Sequence, residues 1–244
     1  MKKKHQLDFN NLKSIAMKDI LQQYMKKRYQ LKEITSTKYQ FPGPVITISR
    51  ECGCQAINIA NALVIKLQKI TGQEWSVLTK EIIEEAAVKL GLHPKKLEYV
   101  FESKEKTTWD EVFAAMSNKY YKSDRQIRKT IAEVVQAMAR RGNCIIIGRG
   151  GISLAKGIEK SLHIRLQAPL KWRAEQLQKS HAGKLEEMMI YAQTVDKKRD
   201  FLRNFFNKSP LELCYFDVIF NTMKIEDKII VNAMISILTE KKII

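Results

Sequence analysis

Long apolar runs, aromatic residues and cysteines are all scarce in this sequence of 244 residues. No apolar stretch approaches the roughly 18 to 20 residues that cross a bilayer, and the basic start at residues 1–5 (MKKKH) is not followed by the apolar core of a signal peptide. Four cysteines are too few for a secreted domain stapled by disulfides, so we expect them to be reduced. These shortages favour a cytoplasmic protein that does not enter the membrane.

The composition that remains is that of a folded, basic protein. Hydrophobic residues make up 45% of the chain, which is enough for the core of one large domain. Acidic residues are outnumbered, 26 Asp and Glu against 43 Lys and Arg, and the net charge is +17. An anionic partner is therefore favoured, and composition alone leaves a nucleotide, a nucleic acid and an acidic lipid open.

The first 40 residues differ from the rest of the chain. Apolar residues recur there at imperfect helical spacing on a basic background, and the segment ends before the FPGP sequence at 41–44. We predict a basic helical extension and linker over 1–40 and one domain over 41–244. The extension is either a solvated helix packed on the domain or an arm that binds nucleic acid or another partner, an interpretation that rests on charge alone.

Within residues 41–244, short β-branched runs alternate with helical patterns. One run spans 45–48 (VITI) and is followed by helical spacing that ends before Gly72. A second run, at 144–147 (CIII), is followed by the turn sequence GRGG, and a third spans 162–166 (LHIRL). This alternation predicts a parallel sheet covered by helices on both faces, with ligands bound beyond the carboxyl ends of the strands. The polar, weakly periodic stretch at 95–124 is predicted to be a mobile insertion.

The segment after the first predicted strand has the order of a phosphate-binding loop. A strand, a turn and a helix over 45–70 would aim loop amides and a helix N-terminus at an anion. The Walker motif also needs several glycines, a lysine and a hydroxyl residue. The sequence RECGCQAIN at 50–58 contains one glycine, no lysine and no hydroxyl. An ordinary turn is therefore the alternative at this loop.

Five sequence blocks in order resemble the cytidylate kinase-like family, which are P-loop relatives of cytidylate kinase. The blocks are ITISRE at 46–51, RGNCIIIGRG at 141–150, APL at 168–170 with Arg173, DKKR at 196–199 with Arg203, and FDVIFNT at 216–222. The resemblance implies a three-layer α/β P-loop kinase-like fold with a central parallel sheet, a helical insertion and a lid over 180–210. It also implies transfer of the γ-phosphoryl group of ATP to a pyrimidine monophosphate such as CMP. A nucleotide-binding sensor or interaction module without that activity is the alternative.

The resemblance also implies roles for particular residues. Arg149 would bind the acceptor phosphate. The alternative is a structural arginine that pairs with a surface carboxylate. Asp196, Arg199 and Arg203 follow one another at i, i+3 and i+7 on one helix face, where they would act in catalysis or form a solvated ion pair. The remaining residues predicted to contact phosphate are Ser49, Arg50, Gly53, Cys54, Gln55, Ala56 and Lys80.

The loop departs from the family pattern in two ways. Where the family has Gly-Ser-Gly-Gly, this chain has Cys54, Gln55 and Ala56 after Gly53, so the side chains of Gln55 and Ala56 stand where backbone should approach phosphate and restrict any conformation with positive φ. Ile57 stands at the hydroxyl position, which offers Mg²⁺ a poor ligand, and we predict no metal site. The sequence therefore predicts weak ATP binding and slow or absent turnover.

Overall fold

The computed structural model describes residues 44–79 and 124–244. Its sheet contains five parallel strands in the order β2-β3-β1-β4-β5. The strands are β1 (Val45–Arg50), β2 (Ser76–Leu78), β3 (Cys144–Ile147), β4 (Ser161–Gln167) and β5 (Val218–Asn221). The helices are α1 (Ala56–Thr71), α2 (Asp124–Arg141), α3 (Gly151–Ala155), α4 (Leu170–Gln178), α5 (Leu185–Asn207) and α6 (Asp227–Glu240), with a 3-10 turn at Leu213–Tyr215.

The central strand β1 pairs with β3 on one side and with β4 on the other. Val45 is in register with Cys144 and Ser161, and the pairing to β4 continues to Arg50. Strand β1 is buried along nearly its whole length because neighbours hydrogen bond to both edges and helices cover both faces. Strand β1 is longer than the predicted run at 45–48, since it extends past Ile48 to Arg50.

Successive side chains of β1 point to opposite faces of the sheet, and each face has its own helices. Ile46 and Ile48 belong to the main core, which α1 and α6 complete. On the other face, Gly151 at the start of α3 lies against Ile146 and Thr47. The chain therefore leaves β1 toward one face and leaves β3 toward the other.

That divergence opens a crevice between the carboxyl ends of β1 and β3. In open parallel sheets the ligand site is the crevice between adjacent strands whose connections run to opposite faces. Ser49 and Arg50 end β1 at this point, and the turn Gly148–Gly150 follows β3 there. The sheet thus places the GRG turn at 148–150 beside the end of β1.

The α/β fold with a parallel sheet is confirmed. The predicted strands at 45–48, 144–147 and 162–166 are present, and α1 ends at Gly72, whose φ of 65° lets its N–H bond to the Gln68 carbonyl. The basic helical extension over 1–40, Lys80 and all but the last residue of the insertion at 95–124 lie outside the described residues and stay predictions. Within the described ranges, no helix is long and apolar enough to cross a bilayer.

Candidate functional site

A cavity of about 280 Å³ lies at the crevice, between the ends of β1 and β3 and one face of α5. It is lined by Ser49, Arg50, Gly148, Arg149, Gly150, Tyr191, Val195, Lys198, Arg199, Leu202 and Arg203. Five of these residues are arginine or lysine, and among the described residues that line the cavity none is Asp or Glu. A concave site with this charge favours an anionic ligand. We call it the cationic cavity.

The turn after β3 carries Arg149 to the rim of the cavity through an unusual backbone. Gly148, Arg149 and Gly150 have successive φ values of 68°, 53° and 65°, all in the left-handed region. A side chain at 148 would collide with the Arg50 guanidinium, and one at 150 would collide with the Phe206 ring. Glycine at 148 and 150 leaves room for both groups, and Arg149 adopts a conformation that costs a non-glycine residue about 1 kcal/mol. Such strain is typical of functional turns.

Helix α5 provides the opposite wall of the cavity. Its lining residues recur every three or four positions, which places them on one helical face. That face begins at Tyr191 and Val195, continues through Lys198 and Arg199, and ends at Arg203. The same face therefore carries an aromatic ring at one end and three cationic side chains at the other.

The two lid arginines predicted from sequence do face the cavity. Arg199 Nη1 donates to the Arg50 carbonyl at 3.2 Å, which joins α5 to the end of β1. Arg203 Nη2 pairs with Asp200 at 2.7 Å. Burial lowers the pKa of Arg203, and the Asp200 carboxylate opposes that shift. Both guanidinium groups lie where charge on a phosphate could be neutralised.

Asp196, the third predicted lid residue, does not line the cavity. Its Oδ1 accepts a hydrogen bond of 2.7 Å from the Cys52 N–H, and its Oδ2 lies 2.7 Å from Arg173 Nη1. The same Arg173 nitrogen donates to the Cys52 carbonyl at 2.9 Å. Burial raises the pKa of Asp196, while the Cys52 N–H and Arg173 oppose that effect. The carboxylate thus binds a loop amide that could otherwise face a ligand.

Glu51, at the start of the loop, is engaged in the same way. Its Oε1 lies 3.2 Å from Arg165 Nη2, and its Oε2 lies 3.3 Å from Arg173 Nε and accepts from the Ala168 N–H at 3.2 Å. Both carboxylates beside the loop are therefore neutralised by arginines. Burial also raises the pKa of the Cys52 and Cys54 thiols, which keeps them protonated at neutral pH.

These contacts decide whether the loop fits Mg²⁺. A hard cation needs carboxylate or hydroxyl oxygens that are not already held by arginines. Neither Glu51 nor Asp196 offers one, and over residues 44–79 and 124–244 no cluster of His, Cys, Asp and Glu has the makings of a metal site. The described residues at this loop therefore do not fit the ion.

The loop backbone packs closely against α4 at Gly53. Gly53 has φ of 94°, and a Cβ there would lie 2.6 Å from the Arg173 carbonyl oxygen, so this position requires glycine. Gln55 has φ of −83°, and Ala56 is already the first residue of α1. Neither Gln55 nor Ala56 has positive φ, so a Cβ is tolerated at both positions.

The structure divides the predicted site residues into two groups. Ser49, Arg50, Arg149, Arg199 and Arg203 meet at the cationic cavity. Gly53, Cys54, Gln55, Ala56 and Asp196 do not line it, and Lys80 lies outside the described residues.

Three side chains that the structure brings to the site were not among the predicted site residues. Lys198 and Tyr191 line the cavity, and Arg173 holds the loop. Helical spacing from Arg203 back to Tyr191 was the available signal for the first two. Nothing local marked Arg173 as the partner of Asp196, 23 residues further along the chain.

The chain matches a known protein family. Residues 45–224, more than half of the chain, match the model of the cytidylate kinase-like family. No curated protein is significantly similar in sequence. A crystal structure of an uncharacterized protein from Eubacterium ventriosum is similar with a TM-score of 0.59 and 13% identity, covering 81% of this chain and 98% of that one. Identity this low shows a shared fold alone.

Two solved kinases are also similar to the chain. Shikimate kinase from Bacteroides thetaiotaomicron has a TM-score of 0.43 and 14% identity, covering 81% of this chain and 96% of its own. Shikimate kinase from Acinetobacter baumannii, in complex with shikimate, has a TM-score of 0.44 and 13% identity, covering 82% and 95% respectively. Because the family model matches residues 45–224, this chain belongs to the cytidylate kinase-like family.

Proposed function

We propose that the protein binds a nucleoside monophosphate in the cationic cavity and transfers to it the γ-phosphoryl group of ATP. The observation that carries the proposal is the convergence of five cationic side chains, from three separate segments, on one cavity at the switch point of the sheet. The family match supports a kinase-like protein in general. The pyrimidine monophosphate CMP is the acceptor that the family resemblance favours.

The arrangement of charges suits this reaction. A phosphate oxygen of the acceptor attacks the γ-phosphorus of ATP, the bond to ADP breaks, and a nucleoside diphosphate and ADP result. Negative charge is spread over the oxygens of the moving group, and planar guanidinium groups stabilise it. Arg149 is assigned to the acceptor phosphate, and Arg199 and Arg203 on the lid helix are assigned to the transferred group. Ser49 and Arg50 would position the phosphates between them.

A second candidate is a nucleotide-binding module that does not turn over. The observation in its favour is the Asp196 carboxylate bound to the Cys52 N–H, because an ATP phosphate cannot use an amide that a carboxylate already holds. In this case the cationic cavity binds a monophosphate, and α5 responds to whether that ligand is bound. The two candidates share the acceptor site and differ at the loop.

Calorimetric titration with CMP, UMP, AMP and ATP, with and without Mg²⁺, tests the shared part. We expect a monophosphate to bind, and Arg149→Ala to weaken it by about 1.5 to 3 kcal/mol, the scale of a charge-assisted contact. Arg140→Ala is the matched control, since Arg140 is exposed near the end of α2 and does not line the cavity. Equal affinities in wild type and Arg149→Ala would move the acceptor site elsewhere.

Formation of ADP in a coupled assay with the best-binding monophosphate then separates the two candidates. Turnover of the bound monophosphate supports the kinase. Saturable binding without turnover supports the module. Adding back loop glycines through Gln55→Gly with Ala56→Gly asks whether the altered loop limits ATP use, and an unchanged ATP affinity would show that it does not.

A further inference from the structure

The face of α5 that lines the cationic cavity is charged at one end and uncharged at the other. Lys198, Arg199 and Arg203 make one end positive, whereas Tyr191 and Val195 at the other end carry no charge. Tyr191 is 44% exposed, so its ring is available to a ligand. A phosphate ion alone would make no favourable contact with this uncharged end.

Helix geometry gives the scale of the site. Tyr191 and Arg199 are eight residues apart on one helix face, which corresponds to about 12 Å along the axis. An isolated phosphate held by the arginines cannot also reach Tyr191 at that distance. A ligand that fills the cavity therefore has an anionic part and a second part that meets a flat aromatic ring and the Val195 side chain.

We infer that Tyr191 is the platform on which the base of the bound nucleotide stacks. The inference rests on the proposed function and specifies which part of the ligand selects a nucleotide over other phosphate esters. Every nucleobase has a π-face, so an aromatic side chain can stack on any of the bases. The His181 ring packs against Tyr191 with centroids 5.8 Å apart, which limits the orientations of the tyrosine ring.

The test compares a ligand that has a base with one that lacks it. CMP and ribose 5-phosphate are titrated by calorimetry into wild type, Tyr191→Leu and Tyr191→Phe. We expect Tyr191→Leu to weaken CMP by roughly 5- to 100-fold, the usual range for loss of one base–aromatic stack, and to leave ribose 5-phosphate within about twofold. Tyr191→Phe keeps the ring and should bind CMP nearly as wild type does.

The chain offers a closely matched control in Tyr215. Its exposed fraction is also 44%, but it does not line the cavity and instead contacts Lys156, whose Nζ lies 5.6 Å from the ring centroid. Tyr215→Leu should leave CMP affinity unchanged. A thermal melt of each variant checks that the substitutions have not altered the fold.

The outcomes separate this inference from the proposed function. Unchanged CMP affinity in Tyr191→Leu, together with weaker CMP binding in Arg149→Ala, would overturn the stacking role and leave the acceptor site in place. Equal losses for CMP and ribose 5-phosphate would also overturn it, because the tyrosine would then act on the phosphate part. If wild type binds ribose 5-phosphate and no nucleotide, both the inference and the proposed function fail.

Discussion

The Cys52 N–H donates a 2.7 Å hydrogen bond to the Asp196 carboxylate, across 144 residues of sequence. Arg173 bridges the same two residues and is itself almost fully buried. In a phosphate-binding loop, amides of this kind face a phosphate oxygen. Helix α5 therefore brings its own anion to the loop, and the Asp196 carboxylate occupies an amide that a phosphate would otherwise use.

Asp196→Ala should raise the affinity for ATP. The substitution removes a negative charge that competes for the Cys52 N–H and for Arg173, so we expect a gain of roughly tenfold, equivalent to about 1.4 kcal/mol. Calorimetric titration with ATP measures it. Glu186→Ala is the control, since it removes the same charge from an exposed position in the first turn of α5. Weaker ATP binding in Asp196→Ala would instead show that the carboxylate supports the ATP site.

The free energy of unfolding should depend on pH through Asp196. Burial raises the pKa of this carboxyl above its ordinary value of 3.8, so the folded protein binds the proton more tightly than the unfolded chain does. Its contribution to stability is therefore greatest at low pH and declines as pH rises from about 3.8 through the raised pKa. Urea denaturation across this acidic range should show that slope in wild type and lose it in Asp196→Asn. An identical pH dependence in both proteins would contradict the shift.

Arg199→Ala and Arg203→Ala should lower kcat more than they raise KM. Their guanidinium groups are assigned to charge that develops as the phosphoryl group moves, so the ground state loses less than the transition state. Steady-state kinetics with the acceptor identified by calorimetry gives both constants. Lys197→Ala is the matched control because Lys197 is an exposed cation of the same helix that does not line the cavity. Changes confined to KM would assign these arginines to binding alone.

Gly53→Ala should destabilise the fold more than Gly72→Ala does. Both glycines have positive φ, but a Cβ at 53 would meet the Arg173 carbonyl at 2.6 Å, whereas nothing lies within 4 Å of one at 72. We expect a loss of about 1 kcal/mol for Gly72→Ala, from backbone conformation alone, and of at least about 2 kcal/mol for Gly53→Ala, where strain adds to it. Chemical denaturation measures both. Equal losses would mean that α4 moves away from the loop without cost.

The sequence by itself determined the elements of this fold and the charge of its site. Alternating β-branched runs and helical spacing depend on neighbouring residues, so the strands at 45–48 and 144–147 and the helix ending at Gly72 follow from local pattern. The net charge of +17 and the GRG turn already indicated an anion site at a strand end. Helical spacing predicted one common face for Asp196, Arg199 and Arg203; the two arginines line the cavity, whereas Asp196 binds the Cys52 N–H.

Tertiary structure alone decided which of those charges meet. The partner of Asp196 is a backbone amide 144 residues away, and no local pattern encodes that distance. The loop before α1 closes against α4, where Gly53 lies against Arg173, and local sequence does not encode that contact. Tyr191 became part of the site only when α5 packed beside β1 and β3. Local pattern determines what each segment can form, and packing of distant segments determines which side chains share one cavity.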